Sequence, residues 1–285
     1  MGAGMRWGLM GLMGLAACTR SSGAEIVRLP AEIHESSGLV TSHVHPGLLW
    51  THNDSGNAPW LYGVDRSGAL KAKVRVSGGT SEDWEAIASD RQGHLWIGDI
   101  GNNDNDRTDL AVHRVPEPSL DAKQVKVDRT VRFRYGDQER LGKKPKNFDA
   151  EALFWADETL WLATKHRSDT RTTLYRFPAL EGDVVLEPVE SFDVGGGDLP
   201  FGGMVTDAAV HASERQLALL TYHALFVFTR GAEGRWFSSP PRVTRFKGER
   251  RGRGQCEALT WGETGLLYTN EGDRVLGALQ VPSAK

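Results

Sequence analysis

The sequence predicts an all-β fold built from repeated four-stranded units, and three observations support this prediction. Glycine accounts for 33 of the 285 residues, and there are 9 tryptophans. Short apolar runs are separated by clusters of Gly, Asp and Asn, a pattern typical of strands joined by turns. The most specific observation is a repeat, in which an acidic residue followed by a short apolar run occurs five times. The acidic residues that open these runs are Glu35, Glu85, Glu151, Asp207 and Glu257.

Each repeat continues with further apolar runs, which we interpret as its second, third and fourth strands. A second and a third run follow each acidic run, and four of the units then show a fourth run of alternating residues. Short runs bounded by turn residues have the usual length of strands. The second runs are residues 48–50, 95–97, 160–162, 217–220 and 266–268; the third are 61–64, 112–115, 174–177, 225–228 and 275–279; the fourth include 74–76, 131–133 and 243–246.

Four short strands in each unit of roughly 40–50 residues are the signature of β-propeller blades. The fifth unit ends after three strands, near Val281, and the N-terminal run of residues 25–29 can supply its fourth strand and close the ring. We therefore predict a five-bladed β-propeller in a single domain, residues 25–285. The interval between the second and third repeats is longer because it carries a polar insertion, residues 135–147, and six blades is the alternative.

The N-terminus predicts export and lipid attachment. Residues 1–17 read as a signal peptide, with Arg6 before an apolar stretch, residues 7–15, that is too short to span a bilayer. The tetrapeptide Leu-Ala-Ala-Cys that ends at Cys18 resembles the lipobox of bacterial lipoproteins, which implies cleavage before Cys18 and lipid on its sulfur. An ordinary signal peptide followed by an incidental cysteine is the alternative. Residues 18–24 then form the lipidated Cys18 and a short polar tether.

These features predict a location in the bacterial cell envelope, where the lipid-anchored protein faces the periplasm or the cell surface. The membrane is then a partner through Cys18, since several acyl chains hold a protein on a bilayer. The formal net charge of −3 argues against a nucleic-acid binder, which usually carries a basic excess. We predict a monomer whose other partner is a small anionic ligand or an envelope protein.

The repeated acidic residues predict a metal site. In a propeller the first strand of each blade lines the central channel, and its start opens on the same face as the loop between the second and third strands. The five repeated acids would therefore ring one mouth of the channel, joined by Asp54 and Asp99 from those loops. An oxygen-rich cluster without thiolates favours Ca²⁺. The alternative is structural: each acid accepts hydrogen bonds from the next blade and pins the ring together.

The loops between the second and third strands differ in chemistry from blade to blade, which indicates an asymmetric pocket. We predict a Ca²⁺-dependent hydrolase of a small anionic substrate, a phosphate ester or a lactone, with the metal polarising the substrate and activating water. The alternative is a non-catalytic binding platform for a glycan, a peptide or an envelope protein. The predicted substrate-binding residues are Lys165, His166, Arg167, Asn53 and Asn270, and the predicted proton donors are Tyr222 and His223.

Four stretches carry a resemblance to a known family: Glu35-Ser-Ser-Gly-Leu39, Leu49-Trp-Thr-His-Asn-Asp-Ser-Gly56, Asp83-Trp-Glu-Ala-Ile-Ala88 and Ile97-Gly-Asp-Ile-Gly-Asn-Asn103. They resemble a largely uncharacterised family of bacterial secreted or lipid-anchored β-propeller proteins. The resemblance covers nearly all of the mature chain and implies fold and location. More distantly, the arrangement is similar to β-propeller phytases and gluconolactonase-type propellers, in which acidic residues at the channel mouth hold a metal. No catalytic residue is carried over from them.

Overall fold

A computed structural model describes residues 26–246 and 255–281. The predicted signal peptide, Cys18 and the tether up to residue 24 lie outside the described residues. Within the described ranges, no helix is both long enough and apolar enough to cross a membrane.

The described residues form 22 strands in five sheets. In chain order these are β1 (Val27–Arg28), β2 (Ser36–Thr41), β3 (Leu48–Asn53), β4 (Trp60–Asp65), β5 (Leu70–Ser77), β6 (Trp84–Ser89), β7 (His94–Asp99), β8 (Ala111–Pro116), β9 (Gln124–Lys126), β10 (Arg129–Tyr135), β11 (Asp149–Ala156), β12 (Thr159–Lys165), β13 (Arg171–Arg176), β14 (Gly182–Leu186), β15 (Pro188–Asp193), β16 (Val205–Val210), β17 (Gln216–Thr221), β18 (Ala224–Thr229), β19 (Arg242–Arg245), β20 (Cys256–Gly262), β21 (Gly265–Asn270) and β22 (Val275–Leu279).

The five sheets are the blades of a β-propeller, as predicted. Blade one contains β2–β5, blade two β6–β8 and β10, blade three β11–β13 and β15, blade four β16–β19, and blade five β20–β22. The fourth strand of blade five is β1, which pairs antiparallel with β22 through Val27↔Leu276 and Arg28↔Val275. The prediction that the N-terminal strand closes the ring is therefore confirmed.

Two short additional strands lie on the outer edges of the first two blades. β9 pairs in parallel with β5, and β14 pairs in parallel with β10. β9 directly precedes the fourth strand of blade two and β14 that of blade three, so blades two and three each contribute a strand to the sheet of the preceding blade. β9 and β14 pair with the edges of β5 and β10 and become the short outermost strands of these two sheets, and short edge strands limit pairing with another chain. The long interval between the second and third repeats holds β9 and the loop of residues 136–148 rather than a sixth blade.

Large apolar side chains fill the space between neighbouring blades. Trp96 of blade two and Tyr175 of blade three belong to one buried cluster, each with 1% of its surface exposed. Phe154 of blade three and Trp236 of blade four belong to the next. Burying such a side chain contributes roughly 1.5–3 kcal/mol each. These clusters hold the blades at fixed positions around the channel.

A β-bulge occurs near the start of the innermost strand of every blade. The ladder register shifts at each of these points, which leaves one residue unpaired with the second strand. A bulge re-aims its side chain and bends the strand. Contrary to the predicted repeat, Glu35 lies two residues before the bulged position of its blade and Asp207 one residue after it. The bulged residues are Ser37, Glu85, Glu151, Thr206 and Glu257.

Candidate functional site

A cavity of about 130 Å³ opens at the mouth of the channel and takes residues from all five blades. Its walls are formed by the starts of the innermost strands and by the loops between the second and third strands. Six of its lining side chains are carboxylic and two are cationic, so its chemistry favours a positively charged ligand. The lining residues are Glu35, Ser36, Ser37, Asp54, Glu85, Asn103, Glu151, Lys165, Arg167, Tyr222, Gln255, Glu257 and Glu271.

Three carboxylates converge at one side of this mouth. Asp54, Asp83 and Glu85 each place one oxygen so that the three atoms lie within 4.8 Å of one another. Asp54 follows β3, Asp83 directly precedes β6, and Glu85 is the bulged residue of β6. Asp54 and Glu85 were predicted as metal ligands, whereas Asp83 was not. The signal for Asp83 is its spacing from Glu85, because residues two apart in extended chain point to the same side.

Gly101 provides the room for this carboxylate group. A Cβ atom at Gly101 would collide with the Asp83 carboxylate and lie 2.9 Å from Glu85 Oε1. The Gly101 N–H also donates to the backbone oxygen of Asp83 at 3.2 Å, which fixes the two segments against each other. The close approach of the carboxylates therefore depends on a glycine at this position.

The electrostatics of the three carboxylates are unfavourable in the absence of a cation. Burial, followed by the charges of Asp54 and Asp149, raises the pKa of Asp83 to about 6. Burial, followed by the charge of Glu151, raises the pKa of Glu85 well above its ordinary value. Like charges held together in a site of low polarity resist ionisation. A bound cation would relieve this repulsion, and three carboxylates suit a hard divalent ion that prefers oxygen ligands.

Lys165 lies among the glutamates on the other side of the cavity. Its Nζ donates to Glu151 Oε1 at 2.8 Å and to the Tyr222 hydroxyl at 3.1 Å. Burial opposes the charge of Lys165, but Glu151, Tyr222 and Glu257 outweigh it and raise the lysine pKa. Burial also raises the pKa of Glu257 to about 8, although Lys165 lowers it. The cavity thus holds a charged lysine beside a glutamate that can carry a proton near neutral pH.

Arg167 forms an ion pair with the buried carboxylate of Asp149. Its Nε donates to Asp149 Oδ2 at 2.8 Å, and its Nη2 lies 2.7 Å from the same oxygen. Asp149 also accepts the backbone N–H of Asn102 at 2.7 Å. Lys165 and Arg167, predicted as anion-binding residues, therefore both line the cavity but serve as partners of Glu151 and Asp149.

Two of the predicted metal ligands are used within the fold. Asp99 accepts the backbone N–H of Asp83 and the Arg107 Nη2, each at 2.9 Å. Asp207 accepts the backbone N–H of Leu259, in the next blade, at 2.6 Å. Asp207 thus follows the structural alternative, in which an acid pins neighbouring blades together. Both lie outside the set of residues that lines the cavity.

The two predicted histidines are also engaged away from the cavity. His166 Nδ1 lies 2.7 Å from Asp169 Oδ1, within its own loop. His223 Nε2 hydrogen-bonds the backbone oxygen of Pro200 at 2.7 Å. His223 therefore positions the loop that precedes blade four, whereas its neighbour Tyr222 lines the cavity.

The two predicted asparagines occupy the last position of β3 and of β21. Asn53 donates through Nδ2 to the backbone oxygen of Glu32 at 2.8 Å and accepts the N–H of Glu35 at 3.3 Å. Asn270 is buried, and its Oδ1 has no hydrogen-bond partner among the described residues. Both residues pair with the innermost strand of their blade, and neither lines the cavity.

Comparisons with known proteins show the fold and leave the family open. No family model matches the chain, and no curated protein matches it either. Among solved structures, the aldose sugar dehydrogenase of Streptomyces coelicolor in its PQQ-bound form aligns with a TM-score of 0.50 at 13% identity, covering 91% of this chain and 99% of that one. The Cps50 (Swd1) β-propeller domain of Myceliophteria thermophila aligns with a TM-score of 0.45 at 11% identity, covering 90% and 100%.

The chain is thus similar in fold to the PQQ-bound aldose sugar dehydrogenase. Identities this low establish architecture and carry no function. The resemblance to bacterial lipid-anchored propellers stays a prediction from the sequence.

Proposed function

We propose that this propeller holds a divalent cation, Ca²⁺, through Asp54, Asp83 and Glu85, and hydrolyses a small anionic ester or lactone bound beside it. The observation that carries the proposal is the convergence of the three carboxylates within 4.8 Å. All three have raised pKa values, through burial first and then through the repulsion of neighbouring carboxylates. A cluster that is costly when empty and favourable when occupied supports a cation site.

The chain's own residues supply the other requirements of hydrolysis. A bound divalent cation contributes a Lewis acid that polarises the substrate oxygen and activates water. Lys165 uses two N–H donors on Glu151 and Tyr222, and an ammonium group has three, so one remains for an anionic substrate. Glu257, with a pKa of about 8, carries a proton near neutral pH and can donate it to a leaving group. Burial raises the pKa of Tyr222, so it keeps its proton and orients Lys165.

The first test measures thermal unfolding of the protein with EDTA and then with Ca²⁺, Mg²⁺ or Zn²⁺. A cation at 100 times its dissociation constant stabilises the folded state by about 2.7 kcal/mol. We expect a Ca²⁺-specific increase that Asp83→Asn removes. The matched control is Asp104→Asn, because Asp104 is an exposed acid of the adjoining loop whose side chain pairs with Lys146 at 2.7 Å. An unchanged melting temperature with every ion would refute the metal site.

A second candidate function follows because the basic side chains near the cavity already pair with carboxylates of the protein. Lys165, Arg167 and His166 all bind carboxylates of the protein itself. This favours a non-catalytic platform for a glycan, a peptide or an envelope protein. The two functions differ in one assay, since a platform would show Ca²⁺-dependent stability without hydrolysis of 4-nitrophenyl phosphate or of a simple lactone.

The cellular location is part of the proposal and rests on the sequence around Cys18. We expect the mature protein to begin at Cys18, to carry acyl chains and to partition with membranes. Cys18→Ser should release it from the membrane fraction and remove the lipid mass. A soluble wild-type protein without added mass would refute the anchor.

A further inference from the structure

A glycine-rich loop between β15 and β16 places an aromatic side chain, Phe201, against Tyr222, a residue that lines the cavity. Phe201 has 59% of its surface exposed, the largest value among the exposed large hydrophobic residues of the described chain. Leu199, in the same loop, is 40% exposed. Single exposed apolar side chains are common on protein surfaces, so what distinguishes Phe201 is its backbone conformation and its contact with Tyr222.

The backbone of this loop is held in an unusual conformation. Phe201 has a φ of 56°, in the left-handed region that bulky residues rarely adopt. The loop is fixed by hydrogen bonds from the Gly202 N–H to the Leu199 oxygen at 3.0 Å and from His223 Nε2 to the Pro200 oxygen at 2.7 Å. Gly202 packs so closely on Gly196 that a Cβ atom would collide with the Gly196 oxygen. Strained residues cluster where a side chain has to be presented for function.

The contact of Phe201 links this loop to the cavity. Its ring meets the Tyr222 ring edge to face, with 5.9 Å between the centroids. Tyr222 itself lines the cavity, and its hydroxyl lies 3.1 Å from Lys165 Nζ. Phe201 therefore extends an otherwise polar site with an apolar surface just outside it.

We propose that Phe201 is a specificity-determining residue, which contacts the apolar or aromatic part of a ligand whose anionic group lies in the cavity. The substrate class is then an aryl or alkyl ester of a small anion rather than a uniformly polar one. This inference rests on the proposed function, because it takes the anionic group to be bound beside Lys165 and the cation.

The test compares two phosphate monoesters that differ only in their apolar part, 4-nitrophenyl phosphate and methyl phosphate, bound to the whole protein in the presence of Ca²⁺. An aromatic contact of this kind corresponds to about tenfold in affinity. We expect the wild-type protein to prefer 4-nitrophenyl phosphate by about that factor, measured as the ratio of the concentrations at which each ester half-saturates the protein in rapid-mixing experiments completed before any ester is hydrolysed. Phe201→Asn should abolish the preference and leave methyl phosphate binding unchanged, since Asn tolerates the left-handed conformation.

Two controls separate the ring from the loop. Phe201→Tyr keeps the ring and should keep the preference, and Leu199→Ala removes the neighbouring apolar group and should also keep it. The inference is wrong if the wild-type protein shows no preference, or if Phe201→Asn weakens both esters equally. If neither ester binds in Ca²⁺, the proposed function itself fails and the inference fails with it.

Discussion

The two ends of the channel are built from the same five strands and differ in chemistry, since the far end has an apolar wall as well as charged side chains such as Arg91 and Glu263. The mouth is a cavity of about 130 Å³ with six carboxylic side chains. The far end is a cavity of about 230 Å³, lined by the later residues of the same innermost strands. Its walls include Leu39, Ile87, Leu153 and Leu259, with Trp155 and Trp261 near the exit.

The change of chemistry takes place over two residues. Glu85 is followed by Ile87, and Glu151 and Glu257 are followed in the same way by Leu153 and Leu259. The apolar layer lies directly beneath the glutamates, so it removes them from water on that side. Burial is the largest cause of the raised pKa of each of the three glutamates. The apolar residues thus raise the pKa values of the glutamates without contacting a ligand themselves.

The largest expected effect comes from removing the positively charged side chain of Lys165 at the mouth of the channel. Lys165→Met leaves the buried Glu151 without its partner at 2.8 Å, and breaking such a pair costs about 3–5 kcal/mol. We expect that loss in the free energy of unfolding, measured with urea in the absence of divalent ions. Adding Glu151→Gln should restore part of it.

The matched substitution at the apolar end is Leu153→Met, which keeps the volume and should cost less than about 1.5 kcal/mol. Equal losses at the two ends would show that Lys165 acts only through packing.

An intermediate effect is expected from adding one methyl group beside the carboxylates. Gly101→Ala should abolish the Ca²⁺-dependent stabilisation, about 2.7 kcal/mol at 100 times the dissociation constant, because the new Cβ displaces Asp83. The control is Gly262→Ala at the apolar end, where the nearest atom is the flexible tip of Leu267 at 3.1 Å. Melting temperatures with and without Ca²⁺ distinguish the two variants. If Gly101→Ala keeps the Ca²⁺-dependent stabilisation, the metal does not bind at Asp54, Asp83 and Glu85.

The smallest expected effect is a pH dependence confined to the mouth. The folded-state pKa of Glu257 is about 8 against an ordinary 4.5, so between these two values the folded protein binds more protons than the unfolded one, and its stability falls as the pH rises towards 8. Between about pH 7 and pH 8 the metal-free protein should lose on the order of 1 kcal/mol, and the contribution of Glu257 levels off above that, because the carboxyl is then ionised in both states.

Glu257→Gln should flatten this decline, and unfolding of both proteins across that range measures it. The histidines with lowered pKa values are already neutral above pH 7 and do not contribute. A steeper decline in the variant would contradict the assignment.

The blades were predictable because apolar alternation and turn residues repeat along the chain. The missing strand of the fifth unit also predicted the pairing of β1 with β22. The propeller brings equivalent positions of its blades together at one mouth of the channel. For this reason the predicted site residues there include Glu85, Glu151, Glu257, Lys165 and Tyr222.

Other parts of the site depend on backbone detail that a repeat pattern does not contain. The bulges decide that Ser37 and Thr206, rather than Glu35 and Asp207, take the position of the glutamates. Asp83 joins the carboxylates only because Gly101 admits it. Phe201 lies in an irregular loop whose path is set by His223.

Ring closure has a consequence for the order in which the protein matures. β1 is synthesised before the blades, yet its partner β22 comes last among the described strands. Pairing across so large a sequence separation is slow, and a growing chain acquires its blades from the N-terminal side first. Because the cavity takes residues from every blade, it comes into existence only when the last blade docks. An incomplete chain would hold four stacked sheets and no ligand site.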